Sequence, residues 1–133
     1  MKTNFLVTVV KIFLATFLIL GATFADNMVS AEYKSLQVVN NSGWPISELY
    51  ITSSGNGKWG SNLLKERLEN SGYVSIKYDS RYTYYDVKIV FPNGQVRTWL
   101  GNYRINLNDA WRMTILYNGK DPVGNDIFLV SKN

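Results

Sequence analysis

The sequence predicts an all-β protein, specifically an antiparallel β-sandwich of about seven strands. Seven short runs rich in β-branched and aromatic residues alternate with turn-forming residues every 8–15 positions. The one helical candidate, residues 62–70, places three leucines on one side but is too short to be stable alone. Because each such strand has to bury one face, packing two sheets together is the most economical arrangement.

Turn-forming residues set the limits of each run. Asn41-Ser42-Gly43 ends the first, a Gly/Ser-rich loop at residues 53–57 ends the second, and Asn70-Ser71-Gly72 precedes the third. Asn118-Gly119 and residues 122–125 separate the last two runs. The predicted strands are, in order, residues 36–40, 46–52, 73–78, 85–91, 95–100, 112–117 and 126–130.

The fourth and fifth strands form the clearest local motif, a β-hairpin around Pro92-Asn93-Gly94. Proline presets φ for the turn, and glycine accepts the left-handed conformation that the turn requires. Two registers fit the sequence. A two-residue loop pairs Lys88 with Trp99, whereas a three-residue loop with a bulge pairs Val87 with Trp99.

The N-terminus differs in kind from the rest of the chain. Lys2 and Lys11 precede an uncharged apolar run at residues 12–24, which is typical of a signal peptide. We therefore predict a signal peptide at residues 1–31, with cleavage after Ala25 or, slightly preferred, after Ala31, and a single domain at residues 32–133. An uncleaved anchor at residues 5–24 is the alternative, although a lysine within a membrane helix costs about 2.5–3.5 kcal/mol. Either interpretation places the domain outside the cytoplasm, as a secreted or periplasmic protein.

Composition excludes most familiar catalytic chemistry. The 133 residues include no Cys and no His, so disulfides, thiol catalysis, zinc-thiolate sites and Ser-His-Asp triads are absent. Residues 32–133 carry 12 basic and 9 acidic side chains, a net charge of +3 that is too small to suggest nucleic-acid binding. The possible carboxylate pairs are Glu66 with Glu69 and Asp79 with Asp86, and surface solvation explains Glu66 and Glu69 better than catalysis does. We predict no enzyme activity, no cofactor and no membrane span after signal removal.

Two motifs resemble a group of small secreted bacterial β-sandwich domains of unknown function. The first is the turn Asn40-Asn41-Ser42-Gly43, which opens toward the second strand, and the second is Trp59-Gly60 followed by Leu63-Leu64. The resemblance covers roughly residues 36–117. The resemblance implies a β-sandwich fold and export of the protein, and it identifies no catalytic residue. The group usually has an acidic residue just before the leucine pair, where this chain has Asn62, which puts a cation site there in doubt.

Aromatic side chains are the strongest candidates for binding, because flat rings stack on sugar faces and apolar peptide groups while Tyr and Trp edges add hydrogen bonds. Trp44 and Tyr82 lie in or beside turns, whereas Trp59 and Trp99 also fit a core role. A second candidate is a cation loop at residues 121–126, for which an ordinary polar turn is the simpler explanation. The ligand-binding candidates are Trp44, Lys58, Trp59, Tyr82, Tyr84 and Tyr85.

These observations predict a secreted or periplasmic, non-catalytic module that binds an unidentified protein or envelope glycan. One alternative is a small inhibitor or immunity-type protein that uses the loop at residues 53–60, around Lys58 and Trp59, to block a partner enzyme. Another is a structural subunit that assembles through edge strands, with residues 126–130 as the strand to be donated. The sequence leaves the oligomeric state open.

Overall fold

Residues 30–100 and 105–133 are described by a computed structural model, in which they form strands and connecting turns without any helix. Every run predicted to be a strand is one, which confirms the all-β class. Residues 62–70, the helical candidate, consist of turns and extended chain. The strands are β1 (Tyr33–Asn41), β2 (Glu48–Ser53), β3 (Tyr73–Asp79), β4 (Tyr85–Val90), β5 (Val96–Trp99), β6 (Arg112–Lys120) and β7 (Asp126–Lys132).

The strands form two sheets, one of four strands in the order β3-β1-β6-β7 and one of three in the order β2-β4-β5. The expectation of purely antiparallel pairing is wrong at one place, because β1 and β6 run parallel, with Val38 opposite Met113. Parallel neighbours need a long connection between them. The chain between β1 and β6 is this long connection, because it forms all three strands of the second sheet before β6 begins.

Successive side chains along a strand point to opposite faces of the sheet, so one face of each sheet lies in the core. In β4, Val87 and Ile89 are fully buried, and in β1 Leu36 and Val38 are buried at the same spacing of two residues. The buried apolar residues of both sheets belong to a single hydrophobic cluster. Burial of this apolar surface is the main stabilising contribution in a chain that has no disulfide.

The hairpin adopts the three-residue loop, since Val87 pairs with Trp99 and Val90 with Val96. The Gly94 amide donates to the Phe91 carbonyl at 2.9 Å, and the Phe91 amide donates to the Gln95 carbonyl at 2.9 Å. Gly94 has a φ of 83°, which an L side chain adopts only with strain. The turn therefore selects one of the two registers that the sequence left open.

The segment after Trp59 covers the outer edge of β2. Leu63 donates its amide to the Leu49 carbonyl at 2.8 Å, while Leu49 and Leu64 both donate their amides to Asn62 Oδ1 at 3.0 Å. Leu64 and Leu68, which belong to this segment, are buried. The edge of β2 is thus closed by side-chain and backbone bonds rather than by another strand.

Residues Ala31–Asn133 form one unit. Residues 1–29 of the predicted signal peptide, which include the first cleavage site after Ala25, lie outside the described residues. Among the residues that are described, no helix is long and apolar enough to cross a membrane.

Candidate functional site

The six binding candidates fall into three separate places. Trp44 lies next to Phe91, which directly follows β4. Tyr85 is the first residue of β4, and Trp59 lines a cavity with Asp86, the second residue. Asp86 and Phe91 are five residue steps apart, a distance of roughly 16 Å along a strand. No single surface therefore unites the candidates.

Trp44 is held in position by the buried side chain of Asn40. Asn40 Nδ2 donates to the carbonyl oxygens of Trp44 at 2.7 Å and Leu68 at 3.0 Å. Its Oδ1 accepts from the Ser42 amide at 3.0 Å and the Ser42 hydroxyl at 2.6 Å. The adjacent Gly43 amide donates to Asn70 Oδ1 at 2.8 Å. The turn that carries Trp44 is fixed before any ligand arrives, which lowers the ordering cost of binding.

The Trp44 ring packs edge-on against three other aromatic rings. The ring centroids lie 5.2 Å from Tyr117, 5.8 Å from Phe128 and 6.5 Å from Phe91, and the interplanar angles lie between 68° and 80°. Edge-to-face contacts of this kind are favourable because a positive ring edge meets a negative ring face. The Trp44 side chain is nevertheless 44% exposed, so it is both anchored and open to a ligand.

A cavity of about 480 Å³ opens beside these rings, and we call it the Trp44 pocket. Its apolar wall consists of Trp44, Phe91 and Phe128, together with Pro45 and Pro92. Its polar residues are Arg67, Asn93, Gln95 and Asp126. Small-molecule sites are concave and combine apolar walls with a few polar groups, and this volume lies within their usual range of about 300–1,000 Å³.

The two charged side chains that line the pocket, Arg67 and Asp126, each form an ion pair with another residue. Arg67 Nε pairs with Glu69 at 2.7 Å, and Lys120 Nζ pairs with Asp126 Oδ1 at 2.8 Å. The hydrogen bond from Lys120 lowers the pKa of Asp126 below its usual value, so this carboxyl is ionised at neutral pH. Arg97 does not line this pocket, but its guanidinium lies 5.5 Å from the centroid of the Phe128 ring. The pocket thus combines aromatic surface with fixed hydrogen-bonding groups of both signs.

Lys58 and Trp59 lie in a second place, a smaller cavity of about 270 Å³. Lys58 is exposed, while Trp59 is only partly exposed and lies 5.0 Å from Lys88 Nζ, which also contacts the Tyr50 ring at 4.1 Å. Trp59 therefore already packs against a cation of its own chain. Asp86 lines the same cavity and is buried, and its Oδ2 accepts from the Gly55 amide at 3.2 Å.

The tyrosine candidates do not act as one surface. Tyr85 is 1% exposed, so the expectation that its ring is available to a ligand is wrong. Its hydroxyl lies 2.8 Å from the Asp79 carbonyl and 3.0 Å from the Tyr82 carbonyl, and burial raises its pKa. The alternation of β4 causes this, because Tyr85 shares the inward face with Val87. Tyr82 and Tyr84 remain 42% exposed.

The loop at residues 121–126 is satisfied by its own bonds. Asp121 Oδ1 accepts from the amides of Val123 at 3.0 Å and Asn125 at 2.8 Å, and Oδ2 accepts from Asn125 Nδ2 at 2.9 Å. These bonds lower the pKa of Asp121. Within residues 30–100 and 105–133, no group of three His, Cys, Asp or Glu side chains is placed to hold a metal ion.

Sequence reasoning found Trp44 but missed most of the pocket around it. Phe91 and Phe128 fall in two predicted strands and Arg67 in the segment at residues 62–70, so the sequence places each in a different part of the chain. A weak signal was present, since Phe91 stands directly before the Pro92-Asn93-Gly94 turn, where a strand ends. The other two tryptophans lie elsewhere. Trp99 is buried, and Trp111 is 57% exposed outside the pocket with the Arg112 guanidinium 4.2 Å from its ring centroid.

Comparisons with protein-family models, with curated proteins and with solved structures each found no match to this chain.

Proposed function

We propose that this protein is an exported, non-catalytic β-sandwich module that binds a cell-envelope glycan in the Trp44 pocket. The observation that carries the proposal is the pocket itself, in which an exposed tryptophan and polar side chains line the same cavity of about 480 Å³. The two sheets share one hydrophobic cluster, which supports their packing face to face as a sandwich.

The chemistry of the lining favours a saccharide. A sugar ring has apolar C–H faces that stack on aromatic side chains and a rim of hydroxyls that needs hydrogen-bonding partners. Trp44 supplies the exposed aromatic ring and rests on Phe128, which is itself buried, while Asn93, Gln95 and Asp126 supply amides and a carboxylate. The opposite charges of Arg67 and Asp126 leave the pocket without a strong preference for a cation or an anion.

A binding role without catalysis is supported by the number of carboxylates. Glycoside hydrolysis usually employs two carboxyl groups about 5–9.5 Å apart. Of the residues that line the Trp44 pocket, Asp126 alone carries a carboxylate, and it is bonded to Lys120 at 2.8 Å. The lowered pKa of Asp126 also makes it unsuited to donate a proton at neutral pH.

Export is supported by the sequence of residues 1–31 and by the resemblance to small secreted bacterial domains. An envelope glycan is then the polymer that such a protein meets at high concentration. The absence of cysteine is compatible with this location, because the domain is stabilised by packing and by the Asn40 hydrogen bonds rather than by disulfides.

The test is retention of the purified protein on insoluble envelope material from its own source, with release by soluble fragments of the same glycan. Trp44→Ala removes the exposed ring of the pocket, and we expect at least a tenfold loss of affinity because a stacking aromatic residue is commonly a binding hot spot worth about 2 kcal/mol. Trp111→Ala is the matched control, since Trp111 is also exposed but does not line the pocket. We expect it to bind as the unmodified protein does.

Equal retention of both variants, or no retention of the unmodified protein, would contradict the proposal. The same experiment with soluble extract tests the inhibitor alternative, which one observation supports. The loop at residues 53–60 is pinned by bonds from Gly55 to Asp86 and from Asn56 to Thr52, which leaves Lys58 exposed on a fixed backbone. Recovery of one protein in equimolar amount, lost in Lys58→Glu and kept in Trp44→Ala, would favour that alternative.

A further inference from the structure

The strand β7 forms an edge of the four-stranded sheet, and in the described part of the chain no strand pairs with its outer side. The Phe128 carbonyl already accepts a hydrogen bond from Trp99 Nε1 of the same chain at 3.3 Å, which leaves one of its two lone pairs for a further donor. A groove of about 280 Å³ lies along this edge, between residues of β7 and residues of β5. The outer side of β7 therefore has backbone groups that no strand pairs with in the described residues, and an open groove lies beside them.

The other edges of the two sheets are less suited to pairing. The edge of β2 is covered by Asn62 and Leu63, β5 is four residues long, and β3 carries an exposed lysine, Lys77, near its middle. Short edges and central lysines are devices that prevent edge-to-edge association. In contrast, β7 has four successive apolar residues at positions 127–130, and Leu129 is 45% exposed.

We propose that β7 pairs with β7 of a second copy of this chain, antiparallel and around a two-fold axis at Leu129. In this register Leu129 faces its own counterpart, and Phe128 lies opposite Val130 of the second copy. Asp126 then lies opposite Lys132 of the second copy, and the two-fold axis repeats that pair. The sequence of β7 is thus complementary to itself in charge, which is the reason for choosing a second copy over another partner.

The local contacts of Asp126 leave room for the new pair. Lys120 Nζ and Tyr117 Oη both bond to Asp126 Oδ1, at 2.8 Å and 3.3 Å, and no residue in the described ranges donates to Oδ2. Lys132 of the second copy reaches that free oxygen without displacing Lys120. Leu129, exposed in one copy, is covered in the pair.

The pairing also places the two Trp44 pockets on one assembly. Asp126 lines the pocket, and the two Asp126 residues are separated by six residue steps, which is about 20 Å along a strand. Two sites at that spacing bind a repeating polymer more tightly than one. This consequence rests on the proposed function, whereas the pairing itself does not.

Sedimentation equilibrium of the purified protein without any ligand tests the pairing. We expect a monomer–dimer equilibrium and at least a tenfold weaker dimer for Leu129→Lys, because two lysines then meet at the axis. Val96→Lys is the control, since Val96 is 46% exposed on the edge strand β5. We expect its dimer to be unchanged.

Reversal of the charges tests the register. Lys132→Asp places two carboxylates opposite each other, and we expect a dimer roughly tenfold weaker. Adding Asp126→Lys restores opposite charges across the axis and is expected to restore the dimer, although it removes the Asp126–Lys120 ion pair inside each copy. Only pairing between copies explains a rescue of this kind.

Hydrogen exchange of the unmodified protein gives a readout that needs no variant. The amides of Phe128 and Val130 are expected to gain protection as protein concentration rises. A monomer at every concentration, a dimer that Leu129→Lys leaves intact, or a charge reversal that the second substitution fails to rescue would each overturn the proposal. None of these results depends on glycan binding, so the pairing and the proposed function fail separately.

Discussion

At the scale of single residues, Asn40 links the fold to the candidate site. Its side chain is fully buried and makes four hydrogen bonds, two to the Trp44 and Leu68 carbonyls and two from Ser42. A buried amide is stable only when its donors and acceptors are all paired. Asn40 meets this condition, which explains why a polar residue lies in the core beside Trp44.

Replacing Asn40 by aspartate tests this role. The substitution removes the two N–H groups that face the Trp44 and Leu68 carbonyls and places a carboxyl oxygen there. We expect the free energy of unfolding to fall by about 3 kcal/mol, measured by urea denaturation, because a buried charge loses its compensation. Asn41→Asp is the control, since Asn41 is the exposed neighbour. Equal effects of the two substitutions would show that Asn40 is not the structural link.

At the scale of elements, the sequence predicted the features that depend on residues close together in the chain, namely the strands and the turns. Each strand was recognisable because its β-branched and aromatic residues end at glycine, proline or asparagine turns. The sequence left two registers open for the hairpin. Pro92-Asn93-Gly94 defines a turn, but the sequence does not reveal whether its loop has two residues or three with a bulge. The parallel pairing of β1 with β6 was missed, because it joins segments about 75 residues apart, with Gln37 opposite Arg112.

The edge of β2 gives an element-scale prediction. Asn62 Oδ1 accepts two backbone amides, from Leu49 and Leu64, and a carboxylate oxygen accepts such bonds equally well. We therefore expect Asn62→Asp to leave the free energy of unfolding nearly unchanged. Asn62→Leu, which has no acceptor, is expected to lower it by about 1–3 kcal/mol, since two amides lose their partner. Thermal and urea denaturation measure both, and a stable leucine variant would contradict the assignment.

At the scale of the whole molecule, the Trp44 pocket is assembled from four distant parts of the chain. Trp44 comes from the turn after β1, Arg67 from the segment after β2, Phe91 from the end of β4, and Asp126 and Phe128 from β7. The sequence alone identified Trp44 from its place in a turn. It had no means of placing the others beside it, because their proximity depends on sheet order and on the packing of the two sheets.

The four tryptophans allow the central claim to be tested most directly, since each reports on a different place in the molecule. Trp44 lies in the pocket, Trp59 in the loop at residues 53–60, Trp99 in the core and Trp111 on the surface. The measurement is an NMR titration of the four indole N–H resonances with soluble fragments of the envelope glycan, assigned through single Trp→Phe variants. We predict a saturable shift of the Trp44 resonance, with the Trp111 resonance unmoved. Saturation that shifts Trp59 or Trp111 and leaves Trp44 in place, or no shift at any fragment concentration, would contradict a glycan site in the Trp44 pocket.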